Sequence, residues 1–132
     1  MLRLELPCDR AAASAVREAM VELDELGWVL GDAMLVATEL VNNAVTHSGC
    51  DHTHTMQVQI YRDGEGIIIS VRDPGCSRCA DAAVSEVVEV GGGLGLMIVD
   101  ALARRWGADR DEGYRVWAEL VTRQEEPPED AG

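Results

Sequence analysis

An α/β two-layer sandwich is the fold class the sequence predicts, and three observations predict it. Stretches that alternate apolar and polar residues, as half-buried strands do, recur at residues 2–6, 56–61, 67–73 and 114–121. Longer stretches at 9–26, 32–48 and 97–106 carry apolar residues every three or four positions, as one face of a helix does. Asp63-Gly64, between two alternating stretches, is a strong hairpin signal, so part of the sheet is antiparallel. With 132 residues, 47% of them hydrophobic, the chain is long enough for one domain with its own core.

Taken in order, Leu2 to Leu6 alternates apolar and charged residues, and Pro7 ends that strand. Asp9 can cap a helix that carries Ala12, Val16, Ala19, Met20 and Leu23 on one face and ends at Gly27. Trp28-Val29-Leu30 is a short apolar link that should pack under a helix end. The next helix has Asp32 to cap it and Gly49 to stop it. After a polar loop, Met56, Val58 and Ile60 alternate with Gln57, Gln59 and Tyr61. On the returning strand Ile67, Ile69 and Val71 share a face, and Asp73 is in phase with them before the sharp turn at Pro74-Gly75. A loop with a short helix near 80–88 follows, then a glycine run opening the helix 97–106, which Gly107 ends. Val116, Ala118 and Leu120 form one face of the last strand. Residues 1–122 read as the domain and 123–132 as an acidic tail, disordered, with two prolines.

The net charge is −13 and no lysine occurs, a surface that repels nucleic acid. No apolar run approaches the ~20 residues of a membrane span. No basic-then-apolar leader precedes the first strand, so the cytoplasm is the expected location. Cys8, Cys50, Cys76 and Cys79 then read as thiols rather than disulfides. Cys76-x-x-Cys79 with Cys50, His52 and His54 has zinc-ligand residue types, but the two clusters lie ~20 residues apart and only one is a tight pair.

Three stretches carry candidate chemistry. In the second helix Glu39, Asn43 and His47 lie four apart, each step turning the direction by only ~40°. One polar file thus runs along a mostly apolar helix, which is costly unless something pairs with it. A ligand with a metal ion would supply partners. By itself the file also suits a solvated face, with Glu39 bonded to Asn43 and His47 at a helix C-terminus. Asp73 is the second feature, a carboxylate on the core side at a strand end. The third is Gly91-Gly92-Gly93-Leu94-Gly95-Leu96, where backbone N–H groups at a helix start can cradle phosphate. No Lys-Ser/Thr follows, so it is not a Walker loop, and it lacks the setting of a Rossmann fingerprint. Read alone, it is also an ordinary flexible loop.

Order and spacing decide between these readings. Glu-x-x-x-Asn-x-x-x-His on a helix, Asp-x-Gly ending a strand, then Gly-x-Gly-Leu-Gly-Leu opening a helix resembles the GHKL (Bergerat-fold) ATP-binding domains, a histidine kinase-like ATPase family. Within it the chain is most similar to stand-alone anti-sigma-factor serine/threonine kinases, whose closing stretches 99–107 and 116–120 resemble. The likeness covers about residues 5–121.

The resemblance implies a mixed, mostly antiparallel sheet with helices on one face and ATP with Mg²⁺ between the layers. It makes Glu39 the general base and Asn43 the Mg²⁺ ligand, with His47 at a polar position one turn on. Asp73 would accept from the adenine amino group and Gly75 would lie against the base. Gly93, Leu94, Gly95 and Leu96 would hold phosphates through backbone N–H groups, and residues 76–92 would be the ATP lid. The implied partners are a sigma factor or similar regulator and a small antagonist protein carrying the acceptor Ser or Thr, with no direct nucleic acid and no membrane. A homodimer is left open. The alternative is a nucleotide-dependent binding module without useful kinase activity. Ser77, Leu94 and Arg115 depart from residues common among relatives, which bears on lid contacts, adenine detail and rate.

Overall fold

The computed structural model describes residues 1–47, 53–74, 94–110 and 113–121. In chain order these form β1 (Leu2–Pro7), α1 (Ala12–Met20), a 3-10 turn (Asp24–Val29), α2 (Leu30–His47), β2 (Thr55–Asp63), β3 (Gly66–Asp73), α3 (Leu94–Leu102), β4 (Arg105–Asp109) and β5 (Tyr114–Val121). The strands make one sheet in the order β1-β2-β3-β5-β4. Every pairing among the described residues is antiparallel, so the expected mixed sheet is antiparallel throughout its described strands.

Alternation sets the inner face of the sheet. Met56, Val58 and Ile60, then Ile67, Ile69 and Val71, then Val116, Ala118 and Leu120 are all buried. α2 lies over β3 and β5, with α1 and α3 packed against it. Val36, Ala37, Leu40 and Val41 of α2 are fully enclosed. At about 1.5–3 kcal/mol for each large aliphatic side chain, that burial anchors α2 more strongly than one ill-matched polar neighbour can loosen it.

Several helix boundaries differ from the sequence reading. The helix expected over 9–26 stops at Met20, and the chain continues as the 3-10 turn. Leu23, Leu26 and Val29 recur every three residues, the 3-10 period, and all are buried. Gly27 inside the turn has φ 54°, a conformation glycine adopts without strain. Asp9 holds the preceding bend, where its Oδ1 accepts from the Ala11 N–H at 2.9 Å. α2 begins at Leu30, so Asp32 lies in its first turn rather than capping it. Val29 packs inward as expected, but Trp28 faces solvent.

The largest correction is at residues 97–106, expected as one helix ended by Gly107. α3 stops at Leu102, and Arg105–Asp109 is the edge strand β4. Val99, Leu102, Ala103 and Trp106 do recur at helical spacing, but Trp106 and Ala108 pair with Ala118 and Val116 of β5. Gly107 serves the sheet rather than a helix end: a Cβ there would lie 3.1 Å from the Trp117 ring. Trp106 Nε1 donates to Asp100 Oδ1 at 3.0 Å, linking α3 to β4. The expected Gly49 stop, the helix near 80–88, the lid and the tail fall outside the described residues.

Candidate functional site

The register of β3 and β5 builds the first half of the site. Asp73, the last residue of β3, pairs with Tyr114, the first of β5. Gly113 makes this approach possible. Its φ is 110°, and a Cβ there would fall 2.2 Å from the Asp73 carbonyl oxygen. Asp73 is 2% exposed and Tyr114 1%. Burial first, and then the nearby Asp73 charge, push the Tyr114 hydroxyl up to about 12, while Asn43 pulls it partly back. Tyr114 is therefore neutral throughout the physiological range.

α2 supplies the second half. Glu39 is half-buried at the rim of the helix, and Asn43, about 40° further round, is turned inward and 7% exposed. Both Asn43 side-chain atoms, Oδ1 and Nδ2, are enclosed without a hydrogen bond among the described residues, as is the Tyr114 hydroxyl. The solvated pair of Glu39 bonded to Asn43 is thus not what forms. Asn43 is close enough to Tyr114 to act on its ionisation, yet the two stop short of hydrogen-bond geometry. Asp73 has contacts of its own, while its Oδ2 is enclosed without a hydrogen bond. Unmet groups of this kind cost about 1–3 kcal/mol each. A cluster of them between a helix and a sheet is what a site for a polar ligand looks like before the ligand is counted.

Of the residues singled out in the sequence, Glu39, Asn43 and Asp73 lie on the two elements facing this cluster. His47 closes α2, and Leu94 and Gly95 open α3, but their side chains are not among those described. The Leu96 side chain is buried in the core, which leaves only its backbone for a ligand. Gly75 and Gly93 fall outside the described residues, as do Cys50, Cys76, Cys79 and His52. Cys8 is buried in the core. Among the described residues, no three His, Cys, Asp or Glu side chains are grouped to hold a metal ion. Sequence reasoning passed over Tyr114. Its signal was present, since it is in phase with Val116, Ala118 and Leu120, but only the register places it against Asp73.

The antiparallel sheet with helices on one face has a counterpart in known proteins. Residues 6–120 match the histidine kinase-like ATPase domain. The chain belongs to that family. Histidine kinase-like ATPase domains are nucleotide-binding units, for which ATP with Mg²⁺ is the ligand pair the family implies. Among solved structures, the chain is similar to the RsbU and RsbW domains of Rv1364c from Mycobacterium tuberculosis, at 20% identity and a TM-score of 0.62, over 94% of this chain and 34% of that one. It is also similar to the histidine kinase domain of the blue-light activated histidine kinase EL346 from Erythrobacter litoralis, at 20% identity and a TM-score of 0.50, over 88% of this chain and 61% of that one. The chain thus spans about a third and about three fifths of these two chains, and at such identity the likeness establishes the fold. No curated protein matches the chain. No described helix is long and apolar enough to cross a membrane.

Proposed function

We propose that this histidine kinase-like ATPase domain is an ATP-dependent protein serine/threonine kinase in a partner-switching circuit. It binds a sigma factor or similar regulator and phosphorylates a small antagonist protein, which the added charge then releases. The observation that carries the reading is the pairing on α2 of a rim carboxylate, Glu39, with an enclosed and unbonded amide, Asn43, one turn on.

The residues present fit the nucleotide and its metal ion. Asn43 Oδ1 is a hard oxygen donor of the kind Mg²⁺ takes. Mg²⁺ is usually bound by few protein oxygens together with substrate phosphates and water. When bound, Mg²⁺ neutralises charge on the phosphates. Asp73 suits the adenine amino group, because a buried carboxylate accepts strongly. Gly75, Gly93, Leu94, Gly95 and Leu96 hold the base and phosphates by close backbone approach, and His47 lies one turn beyond Asn43.

Glu39 does the proton work. The phosphorus–oxygen bond to ADP breaks as a bond forms to the acceptor Ser or Thr oxygen, and Glu39 takes the hydroxyl proton. Its half-exposed place on the rim lets a hydroxyl from a partner reach it. Residues 1–122 form the working domain, with 123–132 as a tail, in the cytoplasm.

Glu39→Gln tests this. The change keeps shape and most hydrogen bonding, so ATP binding should stay within a few-fold by calorimetry. Phosphate transfer to a co-purified partner should drop ~10²-fold or more, the usual worth of a general base. If the wild type transfers no phosphate to any partner but binds one differently with ATP and without, the binding-module reading replaces the kinase.

A further inference from the structure

The enclosed cluster assigns a task to Tyr114, a residue that the family likeness leaves without one. We propose that Tyr114 is a positioning residue for Mg²⁺: its hydroxyl donates to Asp73 and accepts from the Asn43 side-chain N–H, which turns Asn43 Oδ1 toward the ion. The inference rests on the nucleotide-binding reading above.

Donor and acceptor accounting leads to it. The Asn43 amide has one oxygen and one NH₂ group, and both are buried without a hydrogen bond among the described residues. An amide can present its oxygen to a metal ion only with the NH₂ pointing away. That NH₂ then needs an acceptor inside the protein. The Tyr114 oxygen is buried, close to Asn43 and without a hydrogen bond among the described residues. A phenol that accepts can also donate its own proton, and Asp73 is the strand partner directly opposite. An ionised carboxylate accepts at both oxygens, so the bond from Tyr114 leaves room for an adenine amino group. One chain of hydrogen bonds would then join the base end of the site to the metal end. Phenylalanine could not make it, and a short hydroxyl side chain would not span as far.

Partners of this kind are worth 10–100-fold in metal affinity at other sites. The test is calorimetry of ATP binding with Mg²⁺ and with a chelator, on the whole chain. Tyr114→Phe keeps the ring and removes only an unbonded hydroxyl, so the urea midpoint should match or exceed that of the wild type. The gain in ATP affinity on adding Mg²⁺ should fall at least tenfold, while affinity in chelator stays within about threefold. A Mg²⁺ gain as large as that of the wild type would overturn the role of Tyr114 and leave nucleotide binding standing. If the wild type binds no ATP under either condition, the nucleotide reading itself fails, and this inference falls with it. Should Tyr114→Phe not fold, exchange of the Asn43 side-chain amide protons in the wild type replaces it. Slow exchange in the Mg²⁺–nucleotide complex supports the bond, and exchange at the free-amide rate overturns it.

Discussion

Two carboxylates are enclosed on β3 and β5, Asp73 on the inner face of the sheet and Glu119 on the outer, and each is 2% exposed. Their surroundings differ in kind. Glu119 accepts from Arg104 Nη2 at 2.7 Å and from Arg105 Nε at 2.5 Å. The Arg104 backbone N–H also donates to the Glu119 carbonyl oxygen at 2.7 Å. These bonds hold its carboxyl below the usual carboxylate range. Beside it Trp117 lies between Arg105 and Arg115, whose guanidinium carbons are 5.8 and 6.0 Å from the ring centre. Arg115 in turn donates to Ser70 and Asp109. Around Asp73, by contrast, the Asn43 amide and the Tyr114 hydroxyl have no hydrogen bond among the described residues. Burial of a charge therefore says little about function. What separates the two surroundings is whether the neighbouring polar groups have partners among the described residues.

That contrast can be broken experimentally, and the largest effect should come from the residue that seats Asp73. Gly113→Ala puts a Cβ into the Asp73 carbonyl and forces a positive φ on a residue that resists it. Strain and overpacking together should cost about 4 kcal/mol in urea unfolding, and nucleotide binding should weaken with it. A stable variant with normal binding would mean that β5 can enter without this close approach.

Next in size, Glu119→Gln should lower stability by about 2 kcal/mol at neutral pH while leaving ATP affinity unchanged. The pH dependence follows from the lowered carboxyl. Its contribution is complete above the unfolded value of about 4.3 and fades as pH falls through the lower folded value. Wild type and variant should therefore converge in acid. A constant difference down to the acid transition would show that the arginines do not depend on the Glu119 charge.

Asp73→Asn is the mirror of that change and should alter stability least. Its urea midpoint should stay close to that of the wild type, because Asn keeps the shape of the side chain and can retain much of its contact with the protein. ATP affinity should fall by roughly 1.5–3 kcal/mol, the worth of a charge-assisted hydrogen bond. Lost stability with unchanged binding would reverse the assignment of the two carboxylates and remove Asp73 from the adenine site.

The sequence by itself determined strands β1, β2, β3 and β5, the central helix and the order of the chemical motifs. Each depends on neighbours close in the chain. Alternation marks β2, β3 and β5, the 3.6-residue period marks α2, and Asp63-Gly64 marks the hairpin that Gly64 turns at φ 67°. The family match over residues 6–120 agrees with the family that the order of the motifs suggested. Tertiary structure alone decided where one local preference gave way to another. Trp106 fits a helix by spacing, but pairing with Ala118 made β4 a strand. Leu23 and Leu26 fit a continued α1, but a 3-10 turn buries them on the way into α2. Glu119 alternates outward, as a solvated residue would, and two arginines from the adjoining stretch cover it. Tyr114 carries no local mark of its place against Asp73 and Asn43. Period and turn chemistry act over a few residues, whereas strand register and the partners of a buried polar group depend on segments far apart in the chain.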